Sequence, residues 1–365
     1  MASKTKQRID GNNNNQQFIT SQTNNIIIGI DEQKAHEIST QAATEISQRY
    51  FKQCQEIANK RMDKFEEITI NKLTKIENSL NSFLDPDFVT QYRLAQFKSA
   101  QTTDVNCYEI LSELLIHRIN KKDDYYTKTG IDGAIEIANK LSDSALSALT
   151  IFGCVLNVIP CSIDAEQGLS TLNNLYGVII DDATLPEGNQ WLDQLDILRA
   201  IRVSPYTIKK FRDLFTEKLK KYCDIGIPTN SENAVKARSL EADLGIPLLI
   251  QNPLLDGYLK LSFSKSDFEN IRLTHDDDYV FLKDLEPKDQ IRNAIDTIFS
   301  LYESDAESQR RINELLYEKA VSFKYIKTVQ EWWDKIPHSI ELTCIGRVLS
   351  HANAKKCYPE FPPLD

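Results

Sequence analysis

Glycine and proline are scarce, at 12 each in 365 residues. All-β folds need many such turn residues, so the shortage favours helices. Long hydrophobic runs are also missing. The most apolar window, 145–159, stops at Pro160 and falls short of the ~20 residues that cross a bilayer, so it reads as a buried core helix. Lys4, Lys6 and Arg8 are not followed by an apolar stretch, which argues against a secretory signal. A basic excess is lacking: 43 Lys and Arg stand against 53 Asp and Glu, a formal charge of -10. Such a chain as a whole is repelled by nucleic acid and by anionic membranes, so no nucleic-acid partner is expected.

The motifs of common enzyme sites are missing too. There is no GxxxxGK[ST], no GxGxxG after a strand and no GxSxG, which removes the usual routes to nucleotide binding and serine hydrolysis. The seven cysteines are widely spaced without a CxxC, so they read as reduced thiols of a cytoplasmic protein and not as a zinc site. None of the five histidines sits in an HExxH pattern. The run His275-Asp276-Asp277-Asp278 has side chains able to hold a divalent cation, but consecutive residues of a strand point to alternate sides, and a solvated acidic turn is the simpler reading. Asp181-Asp182 follows the apolar run Val178–Ile180 as a strand-end turn would. The expectation is therefore a protein without cofactor, metal or catalytic set.

What the sequence does contain begins at the N-terminus. Residues 11–28 are uncharged, Asn/Gln-rich and β-branched, with Asn12, Asn13, Asn14, Asn15, Phe18, Ile19, Ile26, Ile27 and Ile28 as the candidate oligomerisation residues. Such a segment cannot fold alone, and it reads either as a disordered tail or as a β-arm whose Asn and Gln side chains ladder when several copies meet. Residues 31–83 then carry one long amphipathic pattern without proline or glycine: Ile46, Tyr50, Cys54, Ile57, Met62, Phe65, Ile68, Leu73, Ile76, Leu80 and Phe83 are part of it, Thr69-Ile70 is its weakest point, and Asp31 is positioned to cap its start. Its heptads are imperfect, and it needs either a second copy or the body of the protein against it.

Asp85-Pro86-Asp87 reads as a helix stop and start, Asp104 and Ser142 as N-caps, and further helices are expected at about 131–141, 145–158, 165–176 and 191–201. The segment 208–222 is amphipathic and the strongest basic stretch. Lys209, Lys210, Arg212, Lys220 and Lys221 make it a candidate interaction surface for an acidic partner or a membrane, although any surface helix arranges its charges this way. Most β signal lies in 224–285, where Tyr258 to Phe263 alternates with period two and a hairpin or three-stranded sheet is expected. Helices resume at 287–302, 306–321, 329–335 and 340–353. The fold class is thus mainly α: a long N-terminal helix, a multi-helix body, a small β element around 224–285 and the N-terminal arm. The regions expected are 1–30, 31–83, 84–223 and 224–365.

Three stretches in order carry a family resemblance: the Gly-Asn-Asn head leading into the long helix, Asp85-Pro86-Asp87-Phe88 through Leu115-Ile116-His117-Arg118, and Glu341-Leu342-Thr343-Cys344-Ile345-Gly346 through His351-Ala352-Asn353. Together they resemble a bacterial family named only from locus tags, the LPO/Vpar type. The resemblance implies a helical component of defence or mobile-element loci and brings no catalytic residues. The expected function is a self-assembling, non-enzymatic sensor or scaffold, a homo-oligomer with a second defence protein as a further partner. The two alternatives are a membrane-acting effector built on 145–159 and the basic stretch, and a metal-dependent hydrolase built on His275.

Overall fold

The computed structural model describes residues 32–121, 123–162, 164–181, 185–264 and 288–364. The N-terminal arm, Asp31, Asp182 and the His275 run lie outside these. The chain divides into two compact units, Met1–Lys60 and Arg61–Asp365, and it is mainly helical.

Helix α1 covers Glu32–Leu73. Thr69-Ile70 does not break it. Thr69 is fully buried, and its hydroxyl lies 2.7 Å from that of Ser112, so a residue that weakens an isolated helix is held by a tertiary hydrogen bond. The helix stops at Leu73, ten residues short of the expected end. Ser79 donates to the Leu73 carbonyl, Asn78 adopts a left-handed conformation, and Ser79–Leu84 continues as a 3-10 helix.

From there the caps do what their residue types predict. Asp85, Asp104, Asp124, Ser142 and Asp164 each accept a backbone N–H at the start of α2 (Pro86–Ala100), α3 (Val105–Asn120), α4 (Tyr125–Ile137), α5 (Asp143–Asn157) and α6 (Ala165–Ile180). Pro86 sits at the first helical position, where its missing N–H costs nothing. Helix α6 absorbs Val178–Ile180, so Asp181 follows a helix and not a strand. Helix α7 (Gln190–Ile197) is shorter than its pattern. A turn follows at 198–200, and strand β1 (Ile201–Val203) then pairs antiparallel with β5 (Ile340–Leu342). Helix α8 is only Phe211–Lys218, followed by a 3-10 turn at Lys220–Tyr222.

The expected three-stranded sheet is present, in the order β2 (Ile227–Pro228), β4 (Tyr258–Leu261), β3 (Leu249–Gln251). Between β2 and β3 lies helix α9 (Glu232–Leu244), capped by Ser231 and closed by left-handed Gly245. The sequence pattern missed α9, whose fully buried positions are only the small Ala234 and Ala237. Helices α10 (Lys288–Ser300), α11 (Ala306–Val321), α12 (Lys324–Trp333) and α13 (Cys344–Cys357) complete the described residues.

Two apolar cores result. The smaller joins Leu259, Leu261 and Phe263 of the sheet region to Ala234 and Ala237 of α9 and Ile295 and Ile298 of α10. The larger takes residues from both sides of position 223: α5, α6 and α8 contribute with α11, α12 and α13. Helix α13 packs on α3, α4 and α5. It is seated by Gly346, where an added Cβ would stand 2.0 Å from the Ala200 carbonyl oxygen. The absent side chain at Gly346 thus admits the backbone entering β1. Thr343 caps α13 and also donates to the carbonyls of Arg199 and Ala200.

Candidate interaction surface

Helix α1 changes character along its length. From Arg61 onward it buries Phe65, Thr69 and Leu73 completely. Lys72 bridges Glu109 at 2.6 Å and Glu113 at 2.7 Å, and Arg61 donates to the Ala100 carbonyl. Before Lys60, Ile46, Tyr50, Phe51 and Ile57 are 44%, 60%, 65% and 51% exposed. Ile46, Tyr50 and Ile57 are spaced by four and seven, so a 3.6-residue period brings them to one face. Phe51 stands one residue further round. Single exposed apolar residues are ordinary, whereas a row on one helix marks an interaction surface.

The charge of this segment differs from that of the whole. Between 32 and 60, Glu32, Glu37, Glu45 and Glu56 are balanced by Lys34, Arg49, Lys52 and Lys60. The excess of -10 is therefore carried elsewhere in the chain. The candidate residues Asn12 to Ile28 lie outside the described residues.

The basic stretch is not one continuous helical face. Lys209 and Lys210 precede α8. Lys209 pairs with Glu217 at 2.5 Å, the Lys210 ammonium donates to the Asp334 carbonyl, Arg212 pairs with Glu314 at 3.1 Å, and Lys221 donates to the Pro160 carbonyl. Lys220 lies in the 3-10 turn. Four of the five cations thus already hold contacts within the chain.

Two clefts open near α13. One, of about 340 Å³, is lined by Cys154, Asn157, Arg347, His351 and the tail residues Phe361 to Leu364. His351 Nε2 lies 3.0 Å from the Pro362 carbonyl oxygen, and His351 Nδ1 lies 2.9 Å from His117 Nε2. A carbonyl only accepts, so the tautomers follow: His351 Nε2 donates to Pro362, and His117 Nε2 donates to His351 Nδ1. His117 is buried, and burial pushes its pKa down to about 3, with the charges of His351 and Lys355 adding to the effect. Sequence spacing, 234 residues apart, gave no signal for this pair. The other cleft, of about 630 Å³, is lined by Tyr125, Tyr126, Asp196, Arg199, Arg202, Glu341 and Cys344. It mixes both signs of charge, and Arg202 stands opposite Glu341 in the strand register.

Among the described residues, no group of three or more His, Cys, Asp or Glu side chains is arranged to hold a metal ion. No helix among them is long and apolar enough to cross a membrane. Buried Cys107, Cys154 and Cys223 have thiols pushed up to about 12 by burial, far from the range of a reactive thiolate.

A family model matches residues 29–364, which include the whole span of helices just described. The chain belongs to that family, an uncharacterised one named from locus tags. The match begins just ahead of α1 and runs through α13 to the tail. No curated protein and no solved structure matches the chain.

Proposed function

We propose that this family member is a non-enzymatic protein that works by assembling with copies of itself through its N-terminal segment, residues 12–60. The observation that carries this reading is the exposed row Ile46, Tyr50 and Ile57 on α1. The occupant is a second copy because the segment is charge-balanced while the chain as a whole is at -10. Copies repel one another elsewhere and meet most easily here. The arm at 12–28 then supplies Asn, Gln and Ile side chains for β-stacking between copies. Stacking costs ordering entropy and depends steeply on concentration, which suits a sensor or scaffold tripped by local accumulation. The setting we propose is bacterial anti-phage defence, as the family resemblance implies, with a second defence protein as a further partner.

A membrane-acting role is less well supported. Leu146, Leu149, Ile151, Phe152 and Val155 of α5 are buried in the larger core, so releasing them onto a lipid surface would dismantle that core. Light scattering of the full chain and of a chain beginning at Asp31 tests the assembly reading. A defined oligomer that becomes smaller on truncation supports it, and unchanged mass counts against the arm.

A further inference from the structure

We infer that two copies pair through α1 in antiparallel orientation, with Arg49 of each copy facing Glu56 of the other. This rests on the assembly reading above and adds the orientation and register of contact. On a heptad count, Ala43, Tyr50 and Ile57 share one seam position, and Ile46, Gln53 and Lys60 share the other. Arg49 and Glu56 flank this seam on the same side, one heptad apart. Both are exposed, and among the described residues neither makes an ion pair with another side chain. The Arg49 guanidinium instead lies over the ring of Tyr50, 5.6 Å from its centroid.

Three arrangements can be compared. In antiparallel pairs, positions on the same flank of the seam meet each other. The register that sets Ile46 against Ile57 of the second copy also sets Tyr50 against Gln53 and brings Arg49 beside Glu56. The two-fold axis makes each of these contacts twice. Sliding the pair by one heptad, so that Tyr50 meets Ile46, places Arg49 against Arg49, which repels. A parallel, in-register pair sets Gln53 on Gln53 and leaves Arg49 beside Cys54. It also turns Glu56 toward Arg61, whose guanidinium is already engaged with the Ala100 carbonyl. Only the first arrangement joins both isoleucines to each other and satisfies both flanking charges.

The test is a charge swap in the full-length protein, read by sedimentation or light scattering over a concentration series at low salt. Arg49→Glu and Glu56→Arg are each expected to weaken self-association by on the order of tenfold, because two exposed pairs change from attraction to repulsion. The double variant is expected to recover the wild-type mass. Circular dichroism checks that each variant keeps its helix, as exposed positions allow. Single variants with unchanged mass, or a double variant as weak as the singles, would overturn the antiparallel register while leaving assembly itself standing. A wild-type chain that stays monomeric at every concentration would overturn both.

Discussion

The two ends of α1 make the most informative comparison in the molecule. Both are helical and both carry aromatic and aliphatic residues at helical spacing. Beyond Arg61 the helix has a covered face, with Phe65 and Leu73 fully buried, while Tyr50 and Phe51 before Lys60 stand more than half exposed. The same pattern of residues therefore supports two different physical outcomes. Burial of Phe65 contributes to the stability of its own chain. Tyr50 and Ile57 contribute little until something else covers them, and helix formation without tertiary packing is marginal in water.

Substitutions should separate the two ends cleanly. The largest effect is expected in the second unit at Gly346, where alanine would meet the Ala200 carbonyl at 2.0 Å. Gly346→Ala should cost roughly 3 kcal/mol or more in chemical denaturation, since backbone cannot yield as a side-chain tip can. Self-association through α1 should survive it, provided the unit remains folded. Next comes Phe65→Ala, expected to cost about 3–5 kcal/mol as a core truncation. Its counterpart Phe51→Ala should stay within about 0.5 kcal/mol in the same experiment. If the two phenylalanines gave equal losses, the comparison would collapse.

A third effect is set by pH. His117 titrates at about 3 in the folded chain because burial disfavours its charge, against about 6.5 for an unfolded histidine. Its folded pKa is depressed, so between these values the unfolded chain binds the extra proton and stability falls as pH falls. The contribution is whole above about pH 6.5 and is lost progressively toward pH 3. His117→Gln should flatten that part of the stability profile, measured by denaturation midpoints from pH 7 to 4. Self-association should not follow the same curve, because the seam of α1 near Tyr50 holds no histidine. The smallest effect is expected at Lys209→Ala. Its partner Glu217 is about as exposed as the lysine itself, and such pairs contribute little once solvent screens them. The denaturation midpoint should not move measurably.

Much of the fold is legible in the sequence where a local rule decides it. Asp85, Asp104 and Ser142 were readable as caps because a short side chain beside a helix start has one obvious use, and each accepts the expected N–H. The alternation at Leu259, Leu261 and Phe263 marked the central strand of the small sheet. Where tertiary contacts decide, the pattern misled. Thr69 looked like a break, yet Ser112 holds it in place. Val178–Ile180 looked like a strand, yet α6 continues through it. Strands β1 and β5 are three residues each and 139 positions apart, too short to announce themselves and stabilised by a pairing no window contains. The exposed row on α1 was visible as a stripe, but a stripe alone cannot say which of its residues the body covers. That division, at about Lys60, needed the structure.

The most direct test of self-assembly is the solution mass of the full chain over a hundredfold concentration range, beside a variant with Ile46, Tyr50 and Ile57 all changed to serine. The account predicts an oligomer whose mass rises with concentration in the first, and a monomer of unchanged thermal stability in the second. Equal masses for the two proteins would contradict it, since the exposed face of α1 would then have no role in bringing copies together.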